Sequence, residues 1–486
     1  MRLYLIILLI ALGYSQIAYT QKVITLKEDR KTILMPHTAE VKGDFEIRTN
    51  HNVKYLYTRN WKSIHDTLIW HIHVPNNITG DYLVYALVKG VNSSITISRD
   101  NNSFLKYNLN NSTFSEIEIE TLHLNEGNHI LKLYSEKPND NFIYSIELIR
   151  PNLKNKQEKK VKRQRSETEW MKDAGYGVMF HWTADCFPLA GNRVRYEEAV
   201  NRLNTDSIAK YVYDMGAGFL IFTTSHAHYH IPAPIKSVDE VHSGHTTKRD
   251  LIDDLYHSLN TYGIKLMLYY HLGHSTYATP KGWWQNSGYK VEKPEVFFTH
   301  WKNIISEIGK RYGKKVAGFC FDDGIAYYPL NPPFYELTKA AKKGYSNRVV
   351  SYNSWICPKV TNFQDFVFGE TGFHSLKSQI NTVNKQGIRT DRTQKGLQSH
   401  VLFQLENTWY HNKKDEAIDH PRLQYDTFKK DVINAIQHGI VPTINLKITQ
   451  DGYIGDSSLA YMKQFKKEYE GLKNKETKKN SFNVKR

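Results

Sequence analysis

From about Val23 to Ile149 apolar and polar positions alternate with a period of two in short runs separated by Asn, Gly, Asp and Pro. Phe45-Glu46-Ile47-Arg48, Leu68-Ile69-Trp70-His71-Ile72-His73-Val74, Tyr82-Leu83-Val84-Tyr85-Ala86-Leu87 and Ile130-Leu131-Lys132-Leu133-Tyr134 are examples. Alternation turns one face of each run inward, so these predict antiparallel strands, and the lack of a helix-length stretch predicts a β-sandwich over residues 22–150. Beyond residue 168 the pattern changes. Apolar runs of strand length alternate with amphipathic stretches such as Ser207 to Met215, Leu251 to Leu259 and Phe428 to Ile436. The runs are Gly177 to His181, Gly218 to Thr224, Ile264 to Tyr270, Val316 to Asp322, Arg348 to Asn353, Phe366 to Glu370, Val401 to Leu405 and Ile440 to Leu446. Eight such runs predict an α/β fold, a (β/α)8 TIM-like barrel over residues 169–465, with its active site at the carboxyl ends of the strands.

Composition changes this picture in three places. The start, Met1-Arg2-Leu3-Tyr4 followed by the apolar run Leu5 to Leu12, predicts a signal peptide over 1–21 and with it export, periplasmic or secreted, with no stable membrane insertion after cleavage. The net charge of +16 is concentrated, with eight Lys/Arg against one Glu from Arg150 to Arg165 and nine against three from Lys463 to Arg486. These predict a basic linker over 151–168 and a basic tail over 466–486; without interleaved aromatics they exclude a nucleic-acid module, though an anionic algal glycan would suit them. Cys186, Cys320 and Cys357 are odd in number, widely spaced and set in apolar segments, which predicts buried free thiols rather than a disulfide framework or a metal site.

The polar residues that close the predicted strands carry the chemistry. Strand one ends in His181 and Trp182, strand two in His226, strand three in Tyr270 and His271, strand four in Asp322 and Asp323, strand six in Glu370 and strand seven in Glu406, with Trp355 and Trp409 nearby. Imidazoles that grip hydroxyls, aromatic rings that stack on a sugar and paired carboxyl groups describe a glycoside-cleaving pocket. His226, His228 and His230 also raise a metal reading, but no carboxylate is spaced to complete a site, and no cofactor is required. Tyr55, Tyr57 and Trp61 are the candidate sugar-stacking residues of the sandwich.

Five ordered segments carry a family resemblance. They are Gly177-Val178-Met179-Phe180-His181-Trp182; Gly216 to His226, ending Thr223-Thr224-Ser225-His226; Lys248-Arg249-Asp250-Leu251 followed by Gly263 to Tyr270; Phe321-Asp322-Asp323-Gly324; and Ile444 to Ile454, with Asp451-Gly452. From about Trp170 to Phe465 the chain resembles the α-L-fucosidase family of glycoside hydrolases, family 29. The resemblance implies a retaining exo-glycosidase that releases α-L-fucose or a related L-sugar from oligo- or polysaccharides. Asp322 is the implied nucleophile, with Asp323 one position away, and the acid/base is Glu370 or Glu406. His181, His226 and His228 would bind sugar hydroxyls and Trp182 would pack on the ring. Ala227 stands where the family has a second adjacent His, Cys320 replaces the Trp before Phe-Asp, and His271 replaces a Ser. These departures touch the sugar site and leave a second reading, a non-catalytic polysaccharide-binding protein on a degenerate barrel.

Overall fold

The computed structural model describes residues 23–48, 57–139, 141–226, 228–271, 281–288, 294–322, 324, 328–355, 357–370 and 373–483. The N-terminal apolar run, Tyr55 and Asp323 lie outside them.

The first region is built from strands β1 (Ile24–Thr25), β2 (Thr32–Leu34), β3 (Glu40–Lys42), β4 (Glu46–Arg48), β5 (Tyr57–Arg59), β6 (Thr67–Val74), β7 (Gly80–Arg99), β8 (Ser103–Leu124), β9 (Gly127–Tyr134) and β10 (Phe142–Ile149). Eight of them form one sheet in the order β1-β6-β9-β7-β10-β2, with β3 on β6 and β8 on β7. β7 pairs β10 through Leu83 to Lys89 but β9 through Thr96 to Arg99, so this long strand carries the sheet from one layer into the other. Register shifts near Leu83, Val88 and Gly90 accompany the bend. Both halves bury one core: Leu68, Trp70 and Leu133 from one side, Val84, Ala86 and Ile146 from the other. Trp61 and Tyr57, read as sugar-stacking candidates, are core residues: Trp61 stacks on Phe45 at 4.4 Å, and Tyr57 is buried toward the second region.

The predicted basic linker is instead a helix, Pro151–Gln164, with proline in its first turn and no buried residue. Its composition of Lys, Gln, Glu and Arg favours helix without offering an apolar face. The long side chains supply the packing, with Lys154 over the Tyr85 ring at 5.3 Å and Lys160 over the Tyr335 ring at 4.2 Å.

The second region holds strands β11 (Gly177–Phe180), β12 (Phe219–Ser225), β13 (Lys265–Tyr270), β14 (Val316–Phe321), β15 (Val349–Tyr352), β16 (His400–Gln404) and β17 (Val441–Leu446). They form a curled, all-parallel sheet in the order β15-β14-β13-β12-β11-β17-β16, with helices between successive strands. Seven laddered strands replace the eight expected. The run Phe366 to Glu370 lies where the eighth would close the ring: Asp365 N–H donates to Val350 on β15 and Leu402 N–H to Gly369 beside β16, at 2.7 and 2.9 Å. It makes a single parallel bridge, Phe366 with Gln398, rather than a ladder, and side chains take up part of the hydrogen bonding around it. The Asp365 carboxylate accepts from Ser166 N and Val350 N and pairs with Lys342, and the Phe366 carbonyl accepts from Ser351 Oγ. Gly369 then turns the chain at φ +76°.

Successive residues of each parallel strand face two different cores. Met179, Ile221, Met267, Tyr269 and Cys320 point inside the curl, together with Phe366 and Phe368. Val178, Leu220, Leu268, Tyr270, Phe319 and Phe321 point to the helices. All three cysteines are free and buried, as their apolar settings predict.

Candidate active site

Strand parity decides which side chains reach the mouth of the curl. On β14 Cys320 faces inward, so Asp322, two residues on, does as well. On β13 the inward tyrosine is Tyr269, whose hydroxyl donates to Asp322 Oδ2. Tyr270, expected at the substrate, is corrected by the same rule: it is buried toward the helices, and its hydroxyl meets that of Tyr229.

Asn353, at the end of β15, brings the two acids together. Its Nδ2 donates to Asp322 Oδ1 at 2.6 Å and also to Glu370 Oε2, while its Oδ1 accepts from Trp355 N–H at 2.9 Å. Two oxygens held by one amide nitrogen, one of them at 2.6 Å, lie no more than about 5 Å apart. Asn353 is buried, whereas Asp322 and Glu370 are partly exposed. Gly369 places Glu370: at its positive φ a Cβ would sit 2.2 Å from the His400 carbonyl oxygen, so only glycine fits the turn.

Around Tyr269 stands a group of rings. The His181 ring is 5.0 Å from Tyr269, 4.6 Å from His226, 5.7 Å from Tyr410 and 6.3 Å from Trp409, and His226 is 5.0 Å from His271. His181 Nδ1 meets Thr223 Oγ1 at 3.0 Å. Burial, with the neighbouring His226 and His271 rings adding to it, holds the His181 pKa well below the usual range, so this ring is neutral near pH 7. Trp182, expected on the sugar, points the other way by parity, packs beside Tyr196 and Phe222, and donates Nε1–H to the Gln450 carbonyl at 3.1 Å.

His228 pairs through Nδ1 with Asp185 at 3.0 Å, and Arg193 approaches the same carboxylate at 3.3 Å. Burial pushes the Asp185 carboxyl up, but the His228 hydrogen bond and the nearby positive groups outweigh it and hold it below the usual range. His230 is turned away, stacked between Tyr196 and His245 at 4.9 Å each.

Glu406, expected near Asp322 as the other possible acid, is placed elsewhere. It is 0% exposed and accepts from Lys447 N–H at 2.9 Å and from the Ser458 hydroxyl. Burial pushes its carboxyl up to about 7 against those donors.

Sequence reasoning passed over Asn353, Tyr269 and Asp185. Asn353 closes the fifth apolar run, so reading the polar residue at every strand end would have found it. Tyr269 follows by parity only once the structure shows that Met267, two residues before it, faces inward. Asp185 lies in a loop and leaves no periodic signal.

The inward-facing acids and rings at the carboxyl edge of a parallel sheet define a carbohydrate-active α/β protein. The sequence profile of the Alpha-L-fucosidase family matches residues 192–465, and the chain belongs to that family of glycoside hydrolases. A comparison with curated proteins gives no match. Among solved structures the chain is similar to an endo-fucoidan hydrolase of glycoside hydrolase family 107, MfFcnA4, at 14% identity and TM-score 0.49 over 62% of this chain and 53% of that one. It is also similar to a bacterial fucosidase bound to a monovalent iminocyclitol inhibitor, at 16% identity and TM-score 0.42 over 63% of this chain and 74% of that one. The matched part thus spans about half the length of the first of these structures.

Proposed function

We propose that this protein is a retaining exo-glycosidase that releases α-L-fucose or a closely related L-sugar from oligo- or polysaccharides. Asp322 attacks the anomeric carbon while Glu370 gives its proton to the departing oxygen, so the glycosidic C–O bond breaks as the Asp322–sugar ester forms. Glu370, now a carboxylate, takes a proton from water as that water attacks the same carbon. This regenerates Asp322 and leaves the product with its original configuration. The observation that carries this reading is the shared Asn353 amide, because oxygens held by one nitrogen are close enough for double displacement and closer than the roughly 6.5 to 9.5 Å that inversion needs. His181, neutral and bonded to Thr223, can exchange hydrogen bonds with a sugar hydroxyl, with His226, His271 and Trp409 beside it. The apolar run Leu5 to Leu12 supports export to the periplasm or the medium as part of the same reading.

The test is hydrolysis of an aryl α-L-fucoside followed by NMR of the first-formed sugar. Retention of the α anomer is expected, with Asp322→Asn lowering kcat by at least about 10⁴-fold. Azide should restore turnover in Glu370→Gln and yield a fucosyl azide of retained configuration. Formation of the β anomer by the parent, or undiminished turnover by Asp322→Asn, rejects the assignment.

A further inference from the structure

Among the described residues, eight non-glycine residues have positive φ, and six of them are Asn or Asp, which tolerate that region. The other two are Tyr229 and Trp355. Tyr229 is buried and stacked on Trp283 at 3.5 Å, so packing explains it. Trp355, at φ +49°, is 37% exposed, and among the described residues no ring packs against it. A bulky residue in the left-handed region is strained, and strain of this kind persists where the surroundings fix it and the side chain has a task.

The surroundings do fix it. Trp355 N–H is held by Asn353 Oδ1, and Cys357 N–H donates to the Ser354 carbonyl at 2.9 Å. Further on, Lys359 is clamped between Glu116 of β8 at 3.4 Å and the Thr393 carbonyl. The N-terminal region thus pins the far end of the loop that presents the indole.

Sheet order says which part of a substrate the indole meets. β14, with Asp322, lies between β13 and β15. The His181, His226, His271 and Tyr269 group belongs to β11, β12 and β13 on one side; Asn353, Trp355 and Glu370 belong to the other. A proton donor stands beside the leaving group, and Glu370 shares its anchoring amide with Trp355.

Resting on the fucosidase reading above, we infer that Trp355 is the platform on which the leaving sugar of that reading rests. The indole face takes the C–H face of a pyranose and its N–H donates to a hydroxyl.

Two substrates separate this from the reading on which it rests. Turnover of α-L-fucosyl fluoride, which carries no leaving sugar, by the parent protein reports on the hydrolase assignment alone. Trp355→Ala should lower kcat/KM for a fucosylated oligosaccharide at least tenfold more than for the fluoride, with Trp355→Phe intermediate. Equal losses on both substrates, or none on either, overturn the platform. In Glu370→Gln, calorimetry makes the same comparison without turnover. Adding Trp355→Ala should weaken oligosaccharide binding at least tenfold more than binding of free L-fucose, and an unchanged oligosaccharide Kd overturns the inference. A parent that fails on the fluoride sinks the hydrolase assignment and leaves the platform to be decided by those Kd values.

Discussion

Asn353 concentrates three jobs in one side chain: its amino group spans two carboxylates and its carbonyl oxygen holds the next turn of backbone. Because Asp322 and Glu370 reach solvent, removing the amide leaves them hydrated and should change stability by no more than about 1 kcal/mol. The cost falls on geometry. Asn353→Ala is expected to lower kcat by about 10² to 10³-fold on an aryl α-L-fucoside while Tm moves little, and a variant with parental kcat would show that the acids are set by other contacts. Glu406 gives the opposite case, a carboxyl that serves the fold. Burial holds its carboxyl at about 7, above the ordinary 4.5, so the stability it contributes in the protonated form is present below about pH 4.5 and lost as pH rises through 7. A difference of that size corresponds to about 3 kcal/mol. Glu406→Gln keeps an acceptor for Lys447 N–H without the charge, so its urea-unfolding free energy relative to the parent should rise between pH 5 and pH 8. An offset equal at both pH values would show that burial does not govern this group. Sequence supplied the identities of Asp322, Glu370 and His181 as strand-end residues, but side-chain direction is a matter of parity. One step along β13 or past β11 separates Tyr269 from Tyr270 and His181 from Trp182, and apolar runs buried on both faces carry no alternation from which to read that step.

At the scale of elements, the seven laddered strands were legible because parallel strands between two apolar layers read as unbroken hydrophobic runs. The eighth run has the same composition and the same place, and still fails to ladder. The contacts of Asp365 beside it with Lys342 and Ser166 come from residues distant in sequence and leave no local pattern, and only Gly369, inside the run, marks the turn locally. The helix Pro151–Gln164 was missed for the converse reason: helix propensity was present, but without an apolar stripe the periodicity that signals a helix was absent. Gly369 links this irregular element to chemistry. Gly369→Ala places a Cβ against the His400 carbonyl and strains the backbone at positive φ, so stability should fall by about 1 to 3 kcal/mol and Glu370 should be displaced. A displaced acid hurts poor leaving groups most. The kcat of the variant should therefore drop more for an alkyl or sugar α-L-fucoside than for a nitrophenyl one, and a uniform drop across leaving groups would mean that Glu370 is not what moved.

Across the whole molecule, the N-terminal sheet lends one face to the second region. Ile33, Leu87 and Tyr144 lie in the same core cluster as Tyr328, Phe334 and Val360. The Tyr144 ring is 5.7 Å from Tyr328, Ser145 Oγ meets the Tyr328 hydroxyl at 3.4 Å, and Glu147 binds Lys31 at 2.6 Å while Asn331 reaches the Lys31 carbonyl at 2.6 Å. Tyr328 and Asn331 follow β14, and Lys359 and Cys357 follow β15, so the loops that continue from Asp322 and Asn353 rest on the sheet region. Sequence could separate the two regions by periodicity, yet it could not show that β10 is buried on both faces, because the second face is covered by residues nearly 200 positions away. Regions that share a core of this kind should unfold together. Calorimetry of the intact protein should give one transition, with loss of hydrolytic activity coinciding with loss of sheet signal in circular dichroism. Tyr144→Ala removes a fully buried ring and should cost about 3 to 5 kcal/mol, lowering that transition by several degrees. Because the Tyr144 ring packs on Phe114 and Tyr328, the same variant reports on transmission. If the sheet region fixes the loops after β14 and β15, kcat measured well below Tm should fall, and adding the Tyr328→Ala change should cost less than the two single changes summed, since the two rings share a contact. Two resolved transitions in the parent, or additive effects of the two substitutions, would mean that the sheet is a neighbour of the catalytic half rather than part of its frame.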